Sequence, residues 1–81
     1  MGYRLKYDRA AEAVHDALPP EVSERLSLAL ARACDDPIAS TEPYGEDDGV
    51  VRMIVTEQVI AVVLVGQIAK SLTVLHLSYT G

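Results

Sequence analysis

Residues 50–65, VVRMIVTEQVIAVVLV, decide the fold. Two aliphatic runs of strand length, rich in β-branched residues, flank Glu57 and Gln58, which is the pattern of two antiparallel strands joined by a short connection. A two-residue connection pairs Thr56 with Val59. Because side chains alternate across a strand, that pairing sorts the hairpin into two faces. Val51, Met53, Val55, Ile60, Val62 and Leu64 share one; Arg52, Ile54, Thr56, Val59, Ala61 and Val63 share the other. The first set is wholly apolar and is expected under the helices, and the second, which holds Arg52, is expected to lie open. Downstream, GQIAKS leads into LTVLHLSYTG, residues 72–81. Pairing Val65 with Leu72 and burying Leu75 and Leu77 sends Leu72, Val74, His76 and Ser78 to the open face. His76 then falls beside Ala61, with Arg52 diagonally across the same surface.

Upstream, Tyr3, Leu5 and Tyr7 alternate with Arg4 and Lys6, the period of a half-buried strand. Asp8 offers an N-cap to a first helix over residues 9–18, whose apolar stripe is Ala10, Val14, Ala17 and Leu18. Pro19 and Pro20 end that helix and open the next, since the residue before a proline leaves the α region and proline suits a first helical turn. The second helix, residues 20–35, repeats the stripe with Val22, Leu26, Ala29, Leu30 and Ala33, and Pro37 stops it. PIASTEPYGEDDG, residues 37–49, reads as a loop that either tethers one end of the sheet or moves to bind. The predicted architecture is one two-layer α+β domain over residues 1–81. It consists of a strand, an α-helical hairpin on one face of the sheet, and a three-stranded antiparallel meander.

Composition narrows the function. Apolar residues make up 49% of the chain without a single Phe or Trp, so the core is thin and aliphatic and leaves no room for an internal cofactor pocket. No cofactor is expected. One cysteine, Cys34, excludes an internal disulfide and any cysteine-based zinc cluster, and its place in a helical stripe marks it as a small packing residue. No metal-spaced His/Asp/Glu set, Gly-rich phosphate loop or nucleophile elbow is present. The opening MGYRLKYD is charged, and no run approaches the ~20 apolar residues of a membrane span. A cytoplasmic location is the default expectation. A net charge of −5 argues against holding nucleic acid by the overall field, although the acids concentrate in the helices and in EPYGEDDG, while the strands carry Arg4, Lys6 and Arg52.

The segment YRLKYDRAAEAVHDALPPEVSERLSLALARACDDP, followed by VVRMIVTEQVIAVVLV and LTVLHLSYTG, resembles the RelE/ParE superfamily of toxins from type II toxin–antitoxin systems over nearly the whole chain. The resemblance implies the β-α-α-β-β-β fold. It also implies a cytoplasmic toxin, held by a cognate antitoxin, that acts on gyrase or cleaves messenger RNA in the ribosome and so inhibits translation. Cleavage by a ribose 2′-hydroxyl requires proton removal, leaving-group protonation and stabilisation of a crowded anion. Carried over by position, Arg52 matches the family's arginine of the first meander strand. A second family arginine falls near Ile60, the final strand's arginine near His76, and a terminal His-Arg pair near Tyr79 and Thr80. Arg52 is then the phosphate contact and His76 and Tyr79 the acid and base of an RNA-binding catalytic site.

A second reading comes from the residues themselves. The expected open face, with Ile54, Val59, Ala61, Val63, Leu72 and Val74, is a contiguous apolar patch of a kind that soluble monomers rarely leave uncovered. Together with the missing arginine, it points to a non-catalytic interaction module of the same fold. Such a module dimerises, or binds a protein partner, through its open sheet face.

Overall fold

A computed structural model describes residues 2–46 and 48–80. The chain runs β1 (Arg4–Tyr7), α1 (Arg9–Ala17), α2 (Pro20–Asp35), β2 (Glu42–Pro43), β3 (Val51–Val55), β4 (Val59–Gly66) and β5 (Ser71–Tyr79). The strands form a single sheet in the order β1-β5-β4-β3-β2, with β1 parallel to β5 and the other neighbours antiparallel. Both helices pack on one face of this sheet and leave the other open. The expected α+β architecture is therefore the observed one, with β2 as an addition to it.

Local chemistry accounts for the helix boundaries. The Asp8 carboxylate accepts from the Ala10 amide at 3.2 Å, capping α1. Pro20 opens α2 at a position where a missing N–H costs nothing. The α2 stripe is as expected, with Leu26, Leu30 and Ala33 fully buried. In α1 the stripe is turned: Ala11, Val14 and Leu18 face the sheet, while Ala10 and Ala17 are exposed. The β3–β4 connection lacks the usual glycine and is held instead by Thr56. Its hydroxyl donates to the Val59 carbonyl at 3.0 Å and accepts from the Val59 amide at 3.1 Å.

The expected register of β3 with β4 is present, as is the pairing of Val65 with Leu72. The assignment of faces is reversed. Ile54, Val59, Ala61, Val63, Leu72 and Val74 are buried beneath the helices, whereas Val55, Ile60 and Leu64 are exposed on the open side, with Val51, Met53 and Val62 half-buried there. Both sets are aliphatic, so hydropathy alone does not separate them. A bulge in β5 then shifts the ladder: Val63 pairs with Val74 but Val62 with His76, leaving Leu75 as the extra residue. Inward orientation thus passes from Leu72 and Val74 to Leu77, and Leu75 turns outward. His76 sits opposite Val62, not beside Ala61.

Residues 37–43 act as a tether. The Ser40 amide returns to the Asp36 carbonyl at 3.0 Å, and Glu42 and Pro43 add a fifth strand beside β3. Pro43 is tolerated because β2 is an edge strand with no further ladder to complete.

Candidate functional site

Arg52 stands on the helix side of β3, only 5% exposed, and not on the open face where the sequence places it. Its Nε donates to the Thr41 hydroxyl at 2.6 Å, and its Nη2 donates to the Thr41 carbonyl at 3.0 Å and the Ile38 carbonyl at 3.4 Å. Thr41 Oγ1 in turn donates to the Pro37 carbonyl. The guanidinium therefore closes the loop between α2 and β2 against the sheet and satisfies the buried Thr41 carbonyl. A buried, multiply bonded guanidinium is not presented to a phosphate arriving at the opposite face.

Of the other two expected site residues, His76 lies on the open face as expected and Tyr79 does not. Tyr79 pairs with Val59, a helix-side residue that is 1% exposed, so the ring belongs to the helix side at the end of the strand. His76 and Ser78, opposite Val62 and Ile60, face the open side. Arg52 lies opposite Val63 and Tyr79 opposite Val59, four residues apart along β4, or about 13 Å. The sheet itself separates both from His76. No acid, base and phosphate contact converge.

Two cations that the sequence reading left outside the site do reach the open face. Arg4 pairs with Ser71 and Lys6 with Thr73, and Thr73 is in turn opposite Leu64. Their alternation with Tyr3, Leu5 and Tyr7 was the signal, because the three apolar residues belong toward the helices. The open face thus grades from cationic on β1, through Thr73, His76 and Ser78 on β5, to aliphatic on β4 and β3, and to Glu42 on β2.

A second histidine is held within the helical layer. His15 Nδ1 shares a hydrogen bond with the Tyr7 hydroxyl at 2.8 Å, and Nε2 one with the Ser27 hydroxyl at 3.3 Å. This chain joins β1, α1 and α2 with both ring nitrogens engaged. Burial, followed by the nearby carboxylates of Glu12 and Asp16, raises the Tyr7 phenol above its ordinary value. Half-buried Cys34 is raised as well, first by burial and then by Asp35. A raised thiol is a poor nucleophile, which fits a packing role. Among the described residues no group of three or more His, Cys, Asp and Glu side chains could hold a metal ion, and no helix is long and apolar enough to cross a membrane.

Beside β3 runs an open groove of about 350 Å³, walled by Ala29 and Arg32 of α2 and by Ser40 and Thr41 of the tether. Its floor is the edge of β3 at Ile54 and Val55, beyond the two residues that β2 covers.

Solved structures share this architecture almost from end to end. The isolated Escherichia coli RelE toxin superposes with a TM-score of 0.82 at 21% identity, covering 98% of this chain and 85% of that one. The chain has the RelE fold. The RelBE2 toxin–antitoxin complex of Mycobacterium tuberculosis aligns at a TM-score of 0.81 and 11% identity, covering 99% of this chain and 93% of that chain. The RelE–RelB complex of Pyrococcus horikoshii aligns at 0.73 and 16%, covering 100% and 98%. No protein-family model and no curated protein sequence matches. On this RelE fold, Ile60 occupies the open face as an exposed aliphatic residue, and Arg52 lies on the helix side.

Proposed function

We propose that this chain is the RelE-fold toxin component of a type II toxin–antitoxin pair, acting in the cytoplasm and held by an antitoxin protein. The supporting observation is the agreement of the whole domain with RelE proteins, two of which are seen in complex with RelB. The groove beside β3 suits such a partner. An extended antitoxin segment laid along Ile54 and Val55 would add a strand to the sheet, with Ala29 and Arg32 as its opposite wall.

Ribosome-dependent cleavage of messenger RNA is the enzymatic form of this proposal. His76 on the open face is its acid or base, and Tyr79, on the helix side at the strand end, lies across the sheet from it and outside that step. Arg52 supports this chemistry only by holding the tether. A second reading, the non-catalytic interaction module, is favoured by the aliphatic open face. A 2′-hydroxyl attack needs fixed cations where this sheet carries Val51, Met53 and Ile60.

Induced expression in a bacterial culture tests both, with His76→Ala and Tyr79→Phe variants and soluble yield measured alongside. Growth arrest that an adjacent co-expressed reading frame relieves is the outcome expected of a toxin. Arrest abolished by His76→Ala at unchanged yield supports cleavage. Normal growth with abundant soluble protein sinks the active toxin and leaves the interaction module.

A further inference from the structure

We infer that two copies of this chain stack their open sheet faces about a two-fold axis running along β4. The inference deepens the interaction reading above by naming the partner as a second copy.

Val62, Ile60 and Leu64 on β4, with Val51, Met53 and Val55 on β3, form an aliphatic surface at the middle of the open face. Charge is segregated to its two edges. Arg4 and Lys6 stand on β1, and Glu42 stands on β2 opposite Met53, with Glu46 and Asp48 in the loop that follows. Among the described residues, none of the Arg4, Lys6 and Glu42 side chains has an ion-pair partner.

Symmetry decides how such a surface can meet itself. An axis parallel to the strands reverses their order, so β1 lies over β2, β5 over β3, and β4 over β4. Each cationic edge then meets an acidic one, twice per dimer. An axis perpendicular to the strands sets β1 over β1 and β2 over β2, so that cationic edge meets cationic edge and acidic edge meets acidic edge, which like-charge repulsion disfavours. Position along the strand agrees with the first arrangement. Lys6 shares a row with Thr73, Leu64 and Val51, and Glu42 shares the next row with Met53, Val62 and His76, an offset of two residues or about 7 Å. A lysine side chain and the usual twist of aligned sheets span that offset. Single-stranded RNA is a poorer fit, because the central surface has no aromatic ring to stack a base and Glu42 repels phosphate.

A footprint about five strands wide and six residues long gives roughly 450 Å² per copy, near the lower limit for a specific interface, so a micromolar dimer is expected. Sedimentation velocity on the intact protein from roughly 5 to 500 µM brackets that affinity. The expected result is a concentration-dependent monomer–dimer equilibrium. Val62→Glu should abolish it while leaving the circular dichroism spectrum and melting curve in place. Lys6→Glu and Glu42→Lys should each weaken it several-fold, and the double exchange should restore it. A chain that is monomeric throughout overturns the inference. So does a dimer indifferent to Val62→Glu, or a double exchange that restores nothing. A monomer that binds a co-expressed antitoxin in a Val62→Glu-sensitive manner keeps the interaction reading and discards the second copy as the occupant.

Discussion

Arg52 shows how one side chain can mislead a sequence reading. In a strand pair aliphatic on both faces, the lone arginine is the natural marker of the solvent side, and it selected the wrong face here. The reason is that Thr41, eleven residues earlier, presents both a hydroxyl and a carbonyl to the guanidinium. Nothing in the periodicity of β3 carries that information. Replacing Arg52 with methionine keeps much of the aliphatic stem and removes the donors, leaving the Thr41 and Ile38 carbonyls without them. A loss of about 1–3 kcal/mol is expected from the buried Thr41 carbonyl left unpaired. Chemical denaturation measures it, and a loss below about 0.5 kcal/mol would mean that Arg52 behaves as an ordinary surface residue. Relief of toxicity by an Arg52 variant therefore reports on folding before it reports on chemistry. His15 is the opposite case: it sits beside the α1 stripe, and its contacts with Tyr7 and Ser27 stay within the helical layer.

At the scale of elements, what was legible was whatever depends on local signals. The double proline, the Asp8 cap, the length of α2 and the two-residue β3–β4 connection all act within a few residues. Strand β2 was not legible, because Glu42 and Pro43 have little strand propensity and are extended only by the neighbouring β3 and the Arg52 tether. The β5 bulge was also hidden, since the alternation of LTVLHLSY is compatible with an unbroken ladder. Its presence makes a prediction. Deleting Leu75 leaves Leu72, Val74 and Leu77 in plain alternation, all inward, with His76 and Ser78 still outward. The shortened protein should fold with stability changed by only about 1 kcal/mol, whereas disruption of the sheet in its circular dichroism spectrum would contradict the assignment of Leu75 as the bulged residue. The candidate site was the least legible part, because His76 and Tyr79 were placed in the correct strand but the faces of their neighbours followed from the Arg52 assignment.

For the whole molecule, pH offers a test of how the layers are joined. Both Cys34 and Tyr7 are raised in the fold, from ordinary values of 9.0 and 10.0, so the folded state retains protons that the unfolded chain releases. Their contribution is full below pH 9 and is lost as pH climbs through the folded values. Thermal melts should therefore show a declining Tm on the alkaline side, beginning near pH 9. Tyr7→Phe should flatten the portion above pH 10, at the expense of the bond to His15. An alkaline limb unchanged in that variant would show that Tyr7 is not coupled to folding.

The parallel pairing of β1 with β5 has a consequence for how the protein is made. The first strand emerges from the ribosome long before residues 71–74, the strand segment it joins in the sheet. Until then its amides and carbonyls must remain in water or find a temporary partner, and the aliphatic β4 waits with them. The sheet is thus not completed until β5 has been made, and the search for this distant neighbour places the domain among mixed folds, slower than helical bundles with only local contacts. A nascent chain interrupted before β5 is an exposed hairpin beneath two helices, the kind of intermediate that chaperones hold.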